Sequence, residues 1–591
     1  MKNTSILFSK CSLILIFCIT ISSYAQKPLN EQPYSLGTLV HFFNRIKNQT
    51  KSPGPSAVLR LEISDKYFLQ ARINYKENRV GAIHLEGEIT DNQQGSFSIK
   101  INENKLEGNI ILPKEKKAYT YFSDTKGNTF IKETDINNLL CIDFLELPNA
   151  LKNKNIIIQE KNSTDTSNLQ SLPGASGCLF LDFDGYNLPA GSGWNNGIAL
   201  NADTSGMTSN EIIEAWELIT EDFSPFNLNV TTNENVFNSY PSNKRIRCII
   251  TSTNTVAPGY GGIAYIGDFS LAIDRPCWVF TAGVGTSGKF VGEAASHELG
   301  HTLGLSHDGS STETYYGGQG EWAPIMGLSY YKKVTQWSKG EYTAAVNKQD
   351  DLAIISGTMN AVGYRADNHG NTLVTDSPLH ITGGQILSAD TQNQGYIEYT
   401  DDTDVFSFTT TGGNVILNIK AAARNSDLRL KVTLYNSQNM VIGSSSASAA
   451  DLSAPLTINT TLSSGKYYLS VTAIPDGSGT TGYTSYASLG AYAISGSVPN
   501  LNLATKEEDD IRKTINIYPN PVKNDLIIDL RSAKGKYLVE IISNSGQVIT
   551  RFFTSDTILT IPFSDKPSGT YLISIKNSKN KIITSSRIIK Q

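Results

Sequence analysis

The sequence predicts a multidomain, mostly β chain that contains one mixed α/β region. Its 591 residues exceed one ordinary domain, since about 150 residues per domain is usual. Short segments that alternate apolar and polar residues, such as 97–101 and 467–471, recur on both sides of the middle and are typical of strands. Only between about 174 and 365 do strand-like runs accompany a helical pattern. We therefore expect an α/β domain flanked by a β-rich N-terminal region and two β-sandwich-like C-terminal domains.

The composition favours packed domains and argues against a nucleic-acid partner. Hydrophobic residues make up 39% of the chain and charged residues 18%, so packed cores are expected rather than global disorder. The formal net charge is −5. An acidic chain gives no electrostatic reason to bind phosphate backbones, and we expect no nucleic acid among its partners.

Residues 1–25 have the features of a secretory signal peptide. The apolar run 12–22 is shorter than the roughly 20 residues that a membrane-spanning helix needs. Ser23 and Ala25 supply small side chains at the −3 and −1 positions of a cleavage site after Ala25. We therefore expect an exported mature protein without a transmembrane helix.

The region 26–173 is expected to be β-rich and to end in a linker. Turn signals such as Asp124–Asn128 separate its alternating segments, as in β-hairpins. Residues 159–173 are polar and lack periodicity, which is typical of a linker.

Four cysteines follow the expected signal peptide. They are Cys141, Cys178, Cys248 and Cys277. An even number in an exported protein permits disulfides. Cys248 and Cys277 both occur in strand-like runs, so a bridge between these two is one interpretation and four buried thiols is the other.

The region 174–365 combines strands with helices. Residues 178–183 and 246–251 have strand patterns. Thr208 and Glu211 form a capping-box pattern that begins an amphipathic helix. The apolar residues on one face of this helix are Ile212, Trp216, Ile219 and Phe223.

The C-terminal third returns to a strand pattern in two units. Residues 366–500 carry short strands with regular turns, which is typical of a sandwich. Residues 501–513 form a charged linker. Residues 514–591 are again strand-rich, and their eleven basic and five acidic side chains make this unit locally basic on an acidic chain.

Three of the seven histidines lie within twelve residues, 297–308. His297 and His301 are four residues apart, so on a helix they share a face and can bind one metal ion. Gly304 can adopt the left-handed conformation that ends a helix, after which the chain can return His307 as a third ligand. Three neutral imidazoles with one open position are typical of one catalytic zinc ion.

Glu298 follows the first expected ligand and gives the site its chemistry. Its carboxylate can reach a water in the open position and take the proton of that water as attack begins. Two simpler interpretations are a solvated helix whose histidines bind nothing and a zinc site without catalysis. The presence of Glu298 disfavours the second, because binding alone does not need it.

The pattern H-E-x-x-H-x-x-G-x-x-H resembles that of the metzincin zinc endopeptidases, and the resemblance covers about 174–365. It implies a metzincin-like catalytic domain and a methionine turn, which Met326 within Ala323–Gly327 fits. Asp308 resembles the structural aspartate of the reprolysin-like branch. Some metzincins stabilise the oxyanion with a tyrosine near this turn, and Tyr330 is the candidate, although its spacing from Met326 differs from the familiar one.

The same resemblance implies an edge strand for extended substrate. Gly262, Ile263 and Ala264 are the candidates, because backbone pairing there would bind peptide by strand addition. An ordinary core strand would have the same pattern. Asp182 and Asp184 permit a metal site or a turn at the end of a strand.

The flanking regions carry resemblances of their own. Region 26–173 lies where secreted proteases keep a propeptide, in which Cys141 could reach the zinc. Region 366–500 resembles pre-peptidase C-terminal domains, and its acidic run 401–404 could hold a structural Ca²⁺ or be a solvated turn. Region 514–591 resembles the type A sorting domain of type IX secretion, through Ile517–Pro521 and Pro567–Leu572. This implies contact with that machinery and a secreted or cell-surface location.

The sequence thus predicts a secreted zinc-dependent endopeptidase made as a zymogen, with protein or peptide substrates. Two alternatives remain open: a surface adhesin or matrix-binding protein with a vestigial zinc domain, and a zinc hydrolase that acts on a non-peptide bond.

Overall fold

The computed structural model describes residues 32–50, 58–79, 81–91, 95–136, 165–422, 424–448, 451–499, 515–530, 535–544, 547–577 and 582–591. The predicted signal peptide and Cys141 lie outside these residues. No helix within the described ranges is both long and apolar enough to cross a membrane.

The N-terminal region forms one antiparallel sheet of eight strands, in the order β1-β8-β7-β6-β5-β4-β3-β2. The strands are β1 Tyr34–Thr38, β2 Val58–Ser64, β3 Tyr67–Arg79, β4 Ala82–Ile89, β5 Gly95–Asn102, β6 Leu106–Leu112, β7 Lys117–Ser123 and β8 Asn128–Asp135. The alternating pattern predicted this meander. It did not predict helix α1, Leu39–Gln49, which begins at Thr38 and buries Leu39, Phe42 and Ile46 against the sheet.

The central region is built on a five-stranded sheet in the order β12-β9-β13-β15-β14. The strands of this region are β9 Gly177–Asp182, β10 Tyr186–Leu188, β11 Leu200–Ala202, β12 Leu228–Thr231, β13 Arg245–Thr251, β14 Gly262–Ile263, β15 Cys277–Phe280, β16 Trp322–Pro324 and β17 Val334–Gln336. Within the sheet only β14 runs antiparallel to its neighbour. β10 pairs with β11, and β16 with β17.

Two long helices cover one face of this sheet. The helices of the region are α2 Ser209–Asp222, α3 Glu234–Ser239, α4 Thr281–Val284, α5 Gly288–Thr302 and α6 Asp351–Ser356. The predicted capping box begins α2, where the Thr208 hydroxyl accepts from the Glu211 N–H and the Glu211 carboxylate accepts from the Thr208 N–H. Gly292 lets α5 approach α2, since a Cβ there would lie 3.1 Å from Leu218.

Of the two interpretations of Cys248 and Cys277, the disulfide bridge is wrong. The two residues face each other in register on β13 and β15, yet both thiols are free and buried, as is that of Cys178. Part of the predicted linker lies against the central sheet: the Leu169 N–H donates to Thr232 Oγ1 at 2.9 Å, and the Leu172 N–H donates to Asn229 Oδ1 at 3.0 Å.

The region after Tyr364 forms the predicted sandwich from two sheets, in the orders β18-β22-β27-β24-β25 and β19-β20-β28-β23-β26, with β21 also paired to β28. The strands are β18 Ser377–Pro378, β19 Ile381–Thr382, β20 Gln385–Ile386, β21 Gln394–Ile397, β22 Thr403–Thr410, β23 Gly413–Ala421, β24 Leu430–Asn436, β25 Val441–Ser446, β26 Leu456–Leu462, β27 Gly465–Ala473 and β28 Gly490–Ser497.

The sandwich and the central region share one continuous apolar core. Buried polar contacts also join them. The Gln336 side-chain amide donates to the Asp427 carbonyl at 2.5 Å, and the Tyr486 hydroxyl donates to Asp350 Oδ1 at 2.6 Å. The two regions therefore pack as one unit.

The C-terminal unit has a core of its own between a three-stranded sheet, β29-β30-β33, and a four-stranded sheet, β32-β31-β34-β35. Its strands are β29 Asn516–Tyr518, β30 Asp525–Asp529, β31 Tyr537–Ser543, β32 Val548–Thr554, β33 Ile558–Pro562, β34 Gly569–Lys576 and β35 Ile582–Lys590.

Candidate metal centre

Helix α5 carries the first two histidines into the interior. His297 and His301 lie one turn apart, and both are fully buried. Their Nε2 atoms are 3.1 Å apart and their ring centroids 4.7 Å apart. Ala295 and Leu299 are buried in the shared core, so apolar packing of the same helix fixes both imidazoles.

The turn after α5 returns the third histidine. Gly304 has φ +104°, in the left-handed region, and its N–H donates to the His301 carbonyl at 2.9 Å. The chain then reverses and places His307 Nε2 3.0 Å from His301 Nε2. The three predicted ligands thus converge, and among the described residues they are the one group of three or more His, Cys, Asp or Glu side chains arranged to hold a metal ion.

Backbone carbonyls orient two of the rings. His297 Nδ1 lies 2.9 Å from the Ile325 carbonyl oxygen, and His301 Nδ1 lies 2.7 Å from the Leu305 carbonyl oxygen. A carbonyl can only accept, so each Nδ1 carries the hydrogen and each Nε2 keeps its lone pair for a metal.

Burial keeps the three imidazoles neutral. Desolvation lowers the pKa of His301 to about 4, and it lowers the pKa of His297 and of His307 well below the usual value, with the neighbouring histidines adding to the shift. A metal ligand must be unprotonated, so this burial favours metal binding at neutral pH.

Glu298 is also fully buried on α5. Desolvation raises its pKa well above the usual value, and Cys248 adds to the shift. Neither carboxylate oxygen has a hydrogen-bond partner among the described residues. The backbone of Gly262 lies directly against this carboxylate, because a Cβ at Gly262 would be 2.5 Å from Glu298 Oε1.

The segment around Met326 lies directly against α5. Met326 is fully buried, and its Sδ lies 2.6 Å from the position of a Cβ on Gly300. Its carbonyl accepts from the Asp308 N–H at 2.8 Å, while the preceding carbonyl, of Ile325, orients His297. This segment therefore contacts both the helix and the residue after the third histidine.

Asp308 is buried where the chain leaves His307. Burial raises the pKa of its carboxyl to about 7, against opposing hydrogen bonds from Tyr342 and Asn347. Its carbonyl accepts from the Tyr316 N–H at 2.7 Å. Asp308 thus connects the third histidine to two later segments.

The predicted substrate strand lies at an edge of the central sheet. β14 pairs only with β15 in the described sheet, through Gly262 opposite Val279 and Ile263 opposite Trp278. Ala264 is fully buried in the shared core. Because the backbone of Gly262 contacts the Glu298 carboxylate, this edge of the sheet lies next to Glu298.

Tyr330 is buried near the start of α5. Its ring packs against Phe290 in the first turn of α5, 5.5 Å between centroids. A different tyrosine, Tyr315, lies beside His307 with its hydroxyl 3.3 Å from Nε2. Sequence reasoning missed it, because nothing in the segment 309–322 has a periodicity that marks a site.

The two acidic segments considered in the sequence, Asp182 with Asp184 and the run 401–404, have different environments. Asp182 forms an ion pair with Arg247 at the end of β9. Among the described residues, no group of three possible metal ligands includes Asp182 or Asp184. In the acidic run, Asp402 and Asp404 are buried and only the neighbouring Asp401 is exposed. The interpretation of 401–404 as a solvated turn is therefore wrong.

Comparisons with known families agree with two regions of the chain. Residues 215–308 match the profile of the reprolysin-like metallo-peptidase family M12B. Residues 516–591 match the secretion system C-terminal sorting domain. Together the matches indicate a secreted or cell-surface protein with a metallopeptidase domain. No curated protein matches the chain.

Solved structures give only partial likenesses. The pre-peptidase C-terminal domain of collagenase from Bacillus anthracis is 17% identical over 22% of this chain and 97% of its own, with a TM-score of 0.14. PorZ, a surface component of the type IX secretion system of Porphyromonas gingivalis, is 12% identical over 17% of this chain and 14% of its own, with a TM-score of 0.12.

Proposed function

We propose that the protein is a secreted zinc endopeptidase of the metzincin type, which hydrolyses peptide bonds of extracellular proteins. The observation that supports this most directly is the convergence of three neutral imidazoles next to a buried carboxylate. His301 Nε2 lies 3.1 Å from that of His297 and 3.0 Å from that of His307, and Glu298 is on the same helix.

Zinc fits this donor set. Zn–N bonds of about 2.0–2.1 Å in a tetrahedral site separate ligand atoms by roughly 3.3 Å, close to the Nε2 separations here. Three imidazoles leave a fourth position, which is typical of catalytic zinc. Zinc would polarise the scissile carbonyl and acidify the attacking water.

Glu298 would handle the proton of the reaction. Its carboxylate takes a proton from the water as the new C–O bond forms, and gives it to the leaving amine as the C–N bond breaks. Burial raises the pKa of Glu298, so the group can hold that proton between the two steps. The contact with Gly262 keeps the carboxylate beside the edge strand.

We place the substrate along β14. A peptide that pairs with the free edge of this strand would lie beside Glu298, which is in contact with Gly262. Backbone pairing makes few demands on side chains. This supports an endopeptidase more than a hydrolase of a non-peptide bond, and Glu298 supports catalysis more than a vestigial site in an adhesin.

The N-terminal sheet has the contacts expected of a propeptide. Glu86 Oε2 accepts from the Gly193 N–H at 2.8 Å, and Ile111 and Ile136 pack in one apolar cluster with Ile263 of β14. We propose that this region holds the precursor inactive until processing. In the proposed export route, the signal peptide is cleaved first and the protein then passes through the type IX secretion machinery.

We also propose a structural Ca²⁺ in the sandwich, at carboxyls that are not already arranged as a set of metal ligands and would have to move together around the ion. Glu398, Asp402 and Asp404 are buried together, and both carboxylate oxygens of Glu398 lack a hydrogen-bond partner among the described residues. Burial raises the pKa of Glu398 to about 9, and Asp404, Asp402 and Asp367 add to the shift. Carboxylate oxygens are the ligands that Ca²⁺ prefers, and an ion would offset this repulsion.

Casein cleavage by the secreted, processed protein tests the proposal. We expect activity with zinc, loss of activity with a chelator, and loss in Glu298→Ala without loss of bound zinc. The exposed Glu321→Ala is the matched control and should cleave normally. Wild-type protein that binds zinc but cleaves neither casein nor a peptide library would favour the adhesin alternative.

A further inference from the structure

Tyr315 lies at the candidate metal centre although it is not part of the histidine motif, which ends at His307. Its hydroxyl is 3.3 Å from His307 Nε2, and its ring centroid is 4.5 Å from that of His307 and 6.1 Å from that of His297. The side chain is 8% exposed, so the hydroxyl lies in a site largely closed to water.

The distance has a specific meaning because Nε2 is the metal-binding nitrogen of His307. Two ligand atoms of a tetrahedral zinc ion are separated by roughly 3.3 Å, so a metal bound to this nitrogen would lie close to the hydroxyl. The phenol oxygen is therefore close enough to a metal held by His307 to reach a group bound in the open position.

The backbone around Tyr315 fixes this placement. The Tyr316 N–H donates to the Asp308 carbonyl at 2.7 Å, and the Tyr316 carbonyl accepts from the Leu328 N–H at 3.0 Å. The Tyr316 ring stacks on Tyr342 at 4.2 Å with an interplanar angle of 4°. Since Tyr316 is held on both sides, the preceding residue presents its ring to His307.

We propose that Tyr315 is a further catalytic residue, whose phenol O–H donates a hydrogen bond to the peptide carbonyl oxygen as that oxygen gains negative charge. The phenol keeps its proton throughout, so no other reactant is needed. A donor fixed before reaction in a site shielded from water stabilises the transition state more than the ground state. This inference rests on the proposed peptidase function.

Tyr315→Phe removes only the hydroxyl and is the direct test in the zinc-loaded, secreted protein. We expect kcat to fall by about 10²–10³-fold, as on removal of one oxyanion donor, with KM little changed. Zinc content and the thermal midpoint should stay at the wild-type values. Affinity for a phosphinic peptide, whose tetrahedral oxygens resemble the transition state, should fall together with kcat/KM.

Two tyrosines after Met326 provide controls. Tyr331→Phe removes the hydroxyl of a tyrosine that is 53% exposed, and should leave kcat unchanged. Tyr330→Phe tests the residue that the sequence favoured. If the Phe variant at 315 does not fold, Tyr315→Gln keeps a donor and should retain more activity than Tyr315→Leu.

The possible results separate the two proposals. Wild-type kcat and inhibitor affinity in Tyr315→Phe would overturn the role of Tyr315 and leave the peptidase intact. Lost zinc affinity with normal activity at saturating zinc would also overturn it, in favour of a hydroxyl that only supports His307. A wild-type protein that cleaves no peptide would instead refute the peptidase, and the inference with it.

Discussion

The Gln319 side-chain amide donates to the Gly479 carbonyl at 2.8 Å and so ties the segment beside the metal centre to the sandwich. The same nitrogen donates to the Gly482 carbonyl at 2.6 Å, and Gln319 Oε1 accepts from the Tyr316 hydroxyl at 3.1 Å. One side chain thus connects a sandwich loop to the residue that follows Tyr315. The sandwich supports the site rather than only following it in the chain.

Gln319→Ala should weaken this connection. Two carbonyls lose their donor, so the unfolding free energy should fall by about 1–3 kcal/mol, and kcat should fall several-fold because Tyr315 is less well held. Denaturant unfolding and peptide cleavage measure the two effects. Gln438→Ala, at an exposed glutamine of the sandwich, is the matched control. Unchanged kcat and stability in Gln319→Ala would show that the sandwich does not support the site.

Gly300→Ala should disturb the packing of Met326 under the helix. The new Cβ would lie 2.6 Å from Met326 Sδ and 3.2 Å from the Trp337 ring. Overpacking of this kind costs about 1–3 kcal/mol, more than the roughly 1 kcal/mol gained in helix propensity. We expect lower stability and weaker zinc binding, measured by chelator competition. Gly317→Ala, where a Cβ meets nothing within 4 Å, should leave both unchanged.

Glu221 should make the protein less stable as the pH rises from about 4.5 to 8. Burial raises the pKa of this carboxyl from 4.5 to about 8, with weak opposing hydrogen bonds from Ala491 and Asp427. A raised pKa in the folded state means that stability is full below about pH 4.5 and falls as pH rises toward 8, by up to roughly 1.4 kcal/mol per unit.

Glu221→Gln cannot ionise, so its thermal midpoint should match that of the wild type near pH 4 and exceed it at pH 8. The neighbouring buried carboxyls Asp222 and Asp427 feel the charge of Glu221, so the difference between the two proteins includes the change in their own pKa values, which has the same sign. Parallel pH profiles of Glu221→Gln and wild type would contradict the prediction.

Calcium should stabilise the sandwich. With zinc saturated, Ca²⁺ at about 100 times its Kd should raise the unfolding free energy by about 2.7 kcal/mol, seen as a higher thermal midpoint. Glu398→Gln should lose most of this gain, since it removes one carboxylate ligand of the ion. The control Asp401→Asn, at the exposed neighbour, should respond to calcium normally. A thermal midpoint that does not change when calcium is added would show that no ion binds and that the carboxyls are protonated instead.

Much of the metal centre was predictable, because its determinants are local. The four-residue spacing of His297 and His301 places them on one helix face, and Gly304 takes the left-handed conformation that the turn needs. The capping box at Thr208 is equally local. Helix α1 was missed, although Leu39, Phe42 and Ile46 have helical spacing, because strands dominate that region.

By itself, then, the sequence predicted the group of three histidines and the sorting unit, since short-range spacing and pattern encode these. Only the tertiary structure decided that Tyr315 lies beside His307, that Cys248 and Cys277 remain free thiols, and that Asp402 and Asp404 are buried. It also joined Gln319 to a loop 160 residues away. These contacts depend on how separate segments pack, and packing distances have no signature in the spacing of residues along a chain.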